Sequence, residues 1–338
     1  MIRIGIAGGG AWGQLHLANF LKHPQAKVVA VATRSGQLRD AHPNREQVRS
    51  VRDLTDLRRH TDFRELCTAT DIDAVCVALP THLHAEATIL ALKSGKHVLC
   101  EKPMALTTEE ARQMLDTAKT SGKTLMIAHC LRFWPEYVAA ERIVRSDRYG
   151  RAVAASFSRC GGLPPWGSDN WFNDPRRSGG AVIDLHIHDA DICVWLWGKP
   201  EQISASGVHP NHVHSHWRYK DGPAVQLEAA WDSVAHKDFY FNFRIALERA
   251  TLFFDTRLSP TLRLATAQSV EAVPTDSTSG YEAEAHYFLN SLLGGKPVDR
   301  CPPTESLLSL ECCVDTARQL ATRLRKTAVI DRRYSPVA

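Results

Sequence analysis

Residues 97–106 read HVLCEKPMAL. An apolar run that looks like a buried strand ends in an adjacent acid and base, Glu101 and Lys102, followed at once by Pro103. A lysine at a strand tip can hand a proton to an oxygen held in a cleft. Such a lysine could donate to an alkoxide or hold a substrate hydroxyl, or it is no more than a surface lysine in a turn. A second stretch, Gly8-Gly9-Gly10-Ala11-Trp12-Gly13, fits G-x-G-x-x-G. Between a strand and a helix this pattern reads as a dinucleotide site rather than as a merely tight βα turn. Gly8 permits the tight turn, Gly10 lets the backbone approach a pyrophosphate, and Gly13 lets helix and strand pack closely. Ala11 and Trp12 open the helix, whose first N–H groups and positive dipole end face the phosphates.

The end of the second strand bears on which dinucleotide is bound. An NAD site usually has an acid there for the ribose 2′-hydroxyl. This chain has Thr33-Arg34-Ser35, with no carboxylate until Asp40. Hydroxyls and a guanidinium suit a 2′-phosphate, so NADP(H) is expected to be preferred, with NAD(H) as the alternative if Arg34 merely stacks on the adenine.

The elements that must position these residues alternate. Strands are expected at Ile2–Ala7, Lys27–Thr33, Asp73–Leu79, around 97–101 and at Lys123–His129. Helices are expected up to about Leu21, over Thr81–Ser94 and after a Thr107/Glu110 capping box. That alternation predicts a doubly wound parallel sheet, with Pro80-Thr81 and Glu101-Lys102 at the ligand-binding carboxyl ends. After about residue 130 the pattern changes. A helix is expected over PEYVAAERIVRS, and AVAASFSR, AVQLEAAW, FYFNFRIAL and ATLFFDT read as antiparallel strands with one solvated face. The Gly/Pro-rich CGGLPPWGSDNWFNDPRRSGG reads as a long functional loop, followed by one helix, GGAVIDLHIHDADICVWLWG.

A chain of 338 residues is long for one core, so two domains are expected. The composition, 44% hydrophobic and 23% charged, is that of a globular protein. A net charge of +4, with bases interleaved among acids, is no nucleic-acid footprint. No apolar run reaches membrane-spanning length, and MIRIGIAGGG serves better as a first strand than as a signal segment. Nine scattered cysteines without C-x-x-C read as reduced thiols. The expectation is a cytoplasmic protein acting on a small molecule, with neither nucleic acid nor membrane as partner.

The segments GIAGGGAWG, DIDAVCVALPTHLHAEATILALKSGKHVLCEKPMAL, RFWPEY and SGGAVIDLHIHDADICVWLWG resemble the glucose–fructose oxidoreductase, inositol dehydrogenase and rhizopine-catabolism (Gfo/Idh/MocA) family. The resemblance covers nearly the whole chain. It implies a dinucleotide-binding Rossmann domain, 1–128. It also implies a substrate-binding and oligomerising α/β domain, 129–338, built on a large, open, mostly antiparallel sheet. A cis peptide before Pro103 and a homodimer or homotetramer are implied as well. The family's D-x-x-x-H element falls on Asp184 and His188, with Asp191 after them, on what would be one helix face. The implied activity is NAD(P)-dependent hydride transfer to or from a secondary alcohol of a sugar, sugar derivative or cyclitol. His188 takes the hydroxyl proton, Asp184 orients His188, and Lys102 polarises the oxygen. His186 stands where relatives often have glycine, which bears on pocket shape and substrate.

Two rival readings share the fold. One is a redox-neutral lyase or glycoside-cleaving enzyme with tightly bound NAD(P), which the His186/His188 pair allows. The other is a non-catalytic nucleotide-binding regulator, which would not need Lys102, Asp184 and His188. Among further substrate candidates, Trp171 reads as a sugar-stacking face or a packing anchor, and Arg132 as a cleft wall. His84 reads as a family-block residue or a helix-packing histidine. In HVHSH the period-two His212, His214 and His216 share a strand face. No acid or cysteine nearby in sequence completes a ligand set and the strand reads as an exposed edge, so no metal is expected.

Overall fold

The computed structural model describes residues 1–36, 38, 57–164, 168–208, 211–232 and 239–333. Asp40 and the loop residues 165–167 lie outside these. The chain forms two compact units: Met1–Val138 with Pro165–Ser178 and Asp276–Leu307, and Ala139–Pro164 with Gly179–Thr275 and Leu308–Ala338.

In the first unit, β1 (Ile2–Ala7), β2 (Ala26–Ala32), β3 (Arg58–His60), β4 (Ala74–Val77), β5 (His97–Glu101) and β6 (Leu125–Ala128) form an all-parallel sheet. Their order is β3-β2-β1-β4-β5-β6. The order reverses between β1 and β4, and at such a reversal a crevice opens beyond the strands' carboxyl ends. β4 and β6 are buried at every residue, which is why they read as unbroken apolar runs. The crossover helices are α1 (Ala11–Leu21), α2 (Phe63–Thr68), α3 (His84–Lys93) and α4 (Thr108–Ser121), and α5 (Pro135–Arg145) follows β6. α4 carries the expected capping box, Thr107 with Glu110. The Thr81–Leu83 part of the helix expected over Thr81–Ser94 is a separate 3-10 turn.

Besides the short α2, two long helices have no counterpart among the expected elements, α9 (Gly280–Gly294) and α10 (Pro303–Arg333). α9 packs Ala285, Phe288 and Leu289 into the core formed by Ile4, Ile6, Leu17, Phe20, Leu99 and Met126. Residues distant in sequence thus complete the nucleotide-binding core. The short α6 (Pro175–Ser178) also belongs to this unit.

The second unit holds β7 (Ala152–Cys160), β8 (Gln202–Val208), β9 (His212–Arg218), β10 (Ala224–Ala230), β11 (Tyr240–Leu247), β12 (Thr251–Asp255), β13 (Leu262–Ala265) and β14 (Val270–Ala272). They form an eight-stranded sheet in the order β14-β13-β12-β11-β7-β10-β9-β8. Every pairing is antiparallel except β7 with β10. The HVHSH strand is β9, and it lies between β10 and β8 rather than at an edge. Alternation sends Phe157, Trp217, Leu227, Phe243 and Phe254 to a buried face. Ser158, His212, His214, His216 and Glu228 keep partial exposure on the other.

The expected single helix over 179–198 is two pieces, α7 (Ala181–Asp184) and α8 (Ile187–Trp197). His186 N–H donates to Ala181 O, five residues back, at 2.8 Å. This widened turn separates the pieces without leaving helical backbone angles.

Beneath the sheet, Arg159 of β7 grips Asp189 of α8 with two bonds of 2.9 Å, and both side chains are almost wholly buried. Removing one partner of such a pair leaves an uncompensated buried charge. Asp189→Ala is therefore expected to destabilise the protein by about 3–5 kcal/mol, read from urea unfolding.

Candidate active site

At the carboxyl ends of β1, β4 and β5 the first unit gathers its glycine turn, Pro80-Thr81 and Lys102. Gly8 has φ +117°, and a Cβ there would stand 2.2 Å from Ala78 O at the end of β4. A Cβ on Gly13 would stand 1.7 Å from Gly8 O, so helix and turn touch backbone to backbone. At Gly10, by contrast, a Cβ would meet nothing within 4 Å. The turn is therefore filled beneath Gly8 and Gly13 and open above Gly10, where a pyrophosphate would need room. Gln14 braces it from α1, its amide donating to Gly9 O at 3.0 Å. Ala11 is buried and Trp12 is half-buried with its ring against Tyr281 of α9.

Thr81 is buried and its hydroxyl has no hydrogen-bond partner among the described residues. A buried polar atom normally has a partner, so this one is suited to a ligand. Together with the open cradle at Gly10, it makes these residues a fit for a dinucleotide.

Glu101 turns inward instead of lining the cleft as expected of a cofactor residue. His16 of α1, 85 positions away, donates to its Oε1 at 2.6 Å, and the Lys102 N–H donates to its Oε2 at 3.1 Å. Burial alone would raise its pKa. The hydrogen bond and electrostatic pull of His16, with Lys102 and His84 behind it, outweigh burial and hold it below the usual carboxylate range. Glu101 thus anchors the strand tip from which half-buried Lys102 emerges. The Lys102–Pro103 peptide is cis. His84, fully buried, places one ring nitrogen 2.8 Å from Leu79 O and the other 2.8 Å from Pro103 O. It ties the end of β4 to the end of β5. Burial lowers its pKa, against the pull of both carbonyls and of Glu101. Neither His16 nor the clamping role of His84 carried a local sequence signal.

After β2, Thr33 is half-buried and Arg34 and Ser35 are exposed. Arg34 pairs with Asp169 at 2.5 Å, with side chains 68% and 55% exposed. Asp169 and Asn170 are both left-handed, φ +55° and +47°. Trp171 follows them, one face of its indole stacked on Phe172 at 3.8 Å between centroids.

Two substrate candidates are corrected. Arg132 is wholly buried, its guanidinium bonded to Arg300 O and to the Glu305 carboxylate, and Arg300 donates back to Arg132 O. It fastens the chain after β6 to the segment before α10 and cannot line a cleft. His186 is wholly buried in the second unit, its Nε2 3.0 Å from Ser215 Oγ and its ring edge-on to Trp217. It fills core where a glycine would leave space.

Asp184 and His188 belong to the second unit. Asp184 is buried at the end of α7, and His188 is half-buried in the first turn of α8. The widened turn falls between them. Asp191 follows His188 by three positions on α8. It is 1% exposed and accepts from Ser309 of α10 at 3.0 Å.

Two family models match in succession: the oxidoreductase family, NAD-binding Rossmann fold, over residues 2–129, and the GFO/IDH/MocA C-terminal domain over 137–253. The chain belongs to the Gfo/Idh/MocA oxidoreductase family. It is 39% identical over 131 residues to a 1,5-anhydro-D-fructose reductase of Ensifer adhaerens, a match covering 39% of each chain. The chain spans about half the length, or less, of the curated relatives it matches. In fold it resembles levoglucosan dehydrogenase in complex with NADH and levoglucosan (TM-score 0.78, 22% identity, covering 94% of this chain and 97% of that one). It also resembles biliverdin reductase from Synechocystis sp. PCC 6803 in complex with biliverdin and NADP+ (TM-score 0.77, 21% identity, covering 95% and 99%). Among the described residues no helix is long and apolar enough to cross a membrane.

Burial pushes the His186 imidazole down from its ordinary 6.5 to about 4, so the folded protein holds it neutral. The unfolded chain takes its proton first as pH falls. The stability this group contributes is complete above about pH 6.5 and is lost towards pH 4. In His186→Asn the fall of unfolding free energy between those limits is expected to be shallower by up to about 1.4 kcal/mol per pH unit. Urea titrations at several pH values measure the slope, which separates this effect from the loss of packing.

Proposed function

We propose that the protein is an NAD(P)-dependent oxidoreductase that moves a hydride to or from a secondary alcohol of a sugar, sugar derivative or cyclitol. The observation that carries this is the edge where β1, β4 and β5 end. An open glycine cradle, an unpartnered buried Thr81 hydroxyl and a rigidly based Lys102 share it. The bound nicotinamide supplies hydride donation or acceptance at its C4. Lys102 holds and polarises the substrate oxygen, and His188 exchanges the hydroxyl proton, with Asp184 as its orienting carboxylate. The likeness to a reductase of an anhydro sugar and, in fold, to a levoglucosan dehydrogenase supports a neutral polyhydroxylated substrate.

The Lys102 base is fixed through Glu101 and His84, so Lys102→Ala should leave folding and nucleotide binding nearly intact. Single-turnover hydride transfer, followed by nicotinamide absorbance with a substrate found by screening sugars and cyclitols, is expected to slow by roughly a hundredfold or more. Lys102→Arg should not restore it, because a guanidinium keeps its proton near neutral pH. A rate within a few-fold of the parent's in Lys102→Ala would refute the assignment.

The preference we propose is for NADP(H), read by Thr33, Arg34 and Ser35. Asp169 tempers it, because a 2′-phosphate must take Arg34 from this carboxylate. An ion pair this exposed is worth about 1 kcal/mol or less, and a phosphate can offer a bidentate contact in exchange. Arg34→Ala is expected to narrow the gap between NADPH and NADH affinities, and Asp169→Asn to widen it. Fluorescence titration with both cofactors tests this, and equal affinities in the parent would defeat it.

A further inference from the structure

The open face of the eight-stranded sheet carries a cluster that the proposed reaction does not use. His212 and His214 lie two apart on β9, so both project from this face. Glu228 of β10 is the direct cross-strand partner of His214. Its Oε1 lies 3.5 Å from His212 Nε2 and 4.0 Å from His214 Nε2. These ligand-type atoms all lie within 4.8 Å of one another, the one such His/Cys/Asp/Glu group among the described residues. No metal is expected from the sequence, where no acid or cysteine stands beside these histidines, but the fold brings an acid from 14 positions further along the chain than His214.

The geometry points to a divalent transition-metal site here, with His212, His214 and Glu228 as ligands and zinc as the fitting ion. The groups behind the ligands argue for it. His212 Nδ1 lies 2.5 Å from Asp232 Oδ2, so its N–H donates to the carboxylate and the ring's lone pair is left on Nε2, towards Glu228. That Nε2 is buried and has no hydrogen-bond partner. Ser158 of β7 donates to Glu228 Oε2 at 2.8 Å, which turns Oε1 to the histidines. A metal-bound histidine typically has its second nitrogen on a carboxylate, and a ligating carboxylate is itself hydrogen-bonded. Both conditions are met.

Distance and donor type select the ion. Zinc bonds to imidazole nitrogen at roughly 2.0–2.1 Å and to carboxylate oxygen at roughly 2.0–2.2 Å, so tetrahedral ligands stand roughly 3.3 Å apart. The 3.5 Å between His212 Nε2 and Glu228 Oε1 is too long for a good hydrogen bond and close to that edge. Calcium and magnesium take oxygen ligands, and two imidazoles do not suit them. Three protein ligands leave the fourth zinc position to water or to a small anionic or hydroxylated ligand.

The test is metal binding by the full chain, stripped with a chelator and titrated with Zn2+ in competition with a chromophoric chelator. One equivalent is expected to bind at micromolar affinity or tighter. His214→Ala and Glu228→Gln should abolish it, and Asp232→Asn should weaken it by roughly 10–100-fold through loss of the orienting carboxylate. His216→Ala, on the same face but outside the cluster, should bind as the parent does. Substitution with Co2+ should give the visible bands of a low-coordinate nitrogen–oxygen site in the parent and not in Glu228→Gln. Zn2+ should raise the melting temperature of the parent and leave that of Glu228→Gln unchanged, which also reports that the variant folds. The proposal is overturned if the parent takes up no zinc, or if Glu228→Gln binds it as well as the parent.

Discussion

The nucleotide-binding edge depends on one buried carboxylate. An ionised group taken from water costs several kcal/mol unless partners repay it. Glu101 is repaid by His16 on α1 and by the Lys102 N–H. The same two bonds fix the tip of β5 relative to the helix that leaves the glycine turn. α1 in turn sits as close to β1 as backbone allows, since Gly13 has no room for a Cβ against Gly8. The acid of the E-K-P stretch is therefore the anchor, and in the function we propose the base is the reagent.

Buried charge serves the second unit differently. Arg159 with Asp189 and Ser309 with Asp191 fasten α8 to β7 and to α10. Two of the three acids near the D-x-x-x-H element are thus consumed in holding the helix that carries His188. Asp184 closes the short helical piece that precedes that helix. A proton-transfer group needs a fixed position more than it needs many partners, because misplacement of about 1 Å can cost a hundredfold in rate.

Much of this was legible locally. The glycine turn, the Thr107/Glu110 cap and the unbroken apolar runs of β4 and β6 are written in adjacent residues, and the strands that were expected lie within two residues of their expected ends, whereas β3, β8, β13 and β14 carried no such signal. The misreadings share a cause, which is that they turned on partners distant in sequence. Arg132 resembled a cleft residue until Glu305 and the carbonyl of Arg300 claimed its guanidinium. His186 resembled a pocket residue until Ser215 and Trp217 surrounded it. The period-two histidines were read correctly as one strand face, yet the strand order that sets Glu228 opposite His214 is a property of the sheet. The break between α7 and α8 rests on a single five-residue backbone bond, which side-chain periodicity does not report.

The two sheets also divide the titratable groups by what surrounds them. The parallel sheet is covered on both faces, so its ionisable side chains either pair internally, as Glu101 does, or stand at the strand ends, as Lys102 does. The mixed sheet has one face packed and one face partly open, and on the open face side chains from neighbouring strands meet at cross-strand distances. That spacing, about 4.5–5.5 Å between directly opposed Cβ atoms, lets short side chains share a ligand or a proton without any loop to hold them. His214 and Glu228 occupy such a pair, and Ser158 on the other side of β10 steadies the carboxylate. Rigidity there comes from the strand register itself, whereas at the parallel sheet's edge it has to be supplied by His16, His84 and the buried Glu101.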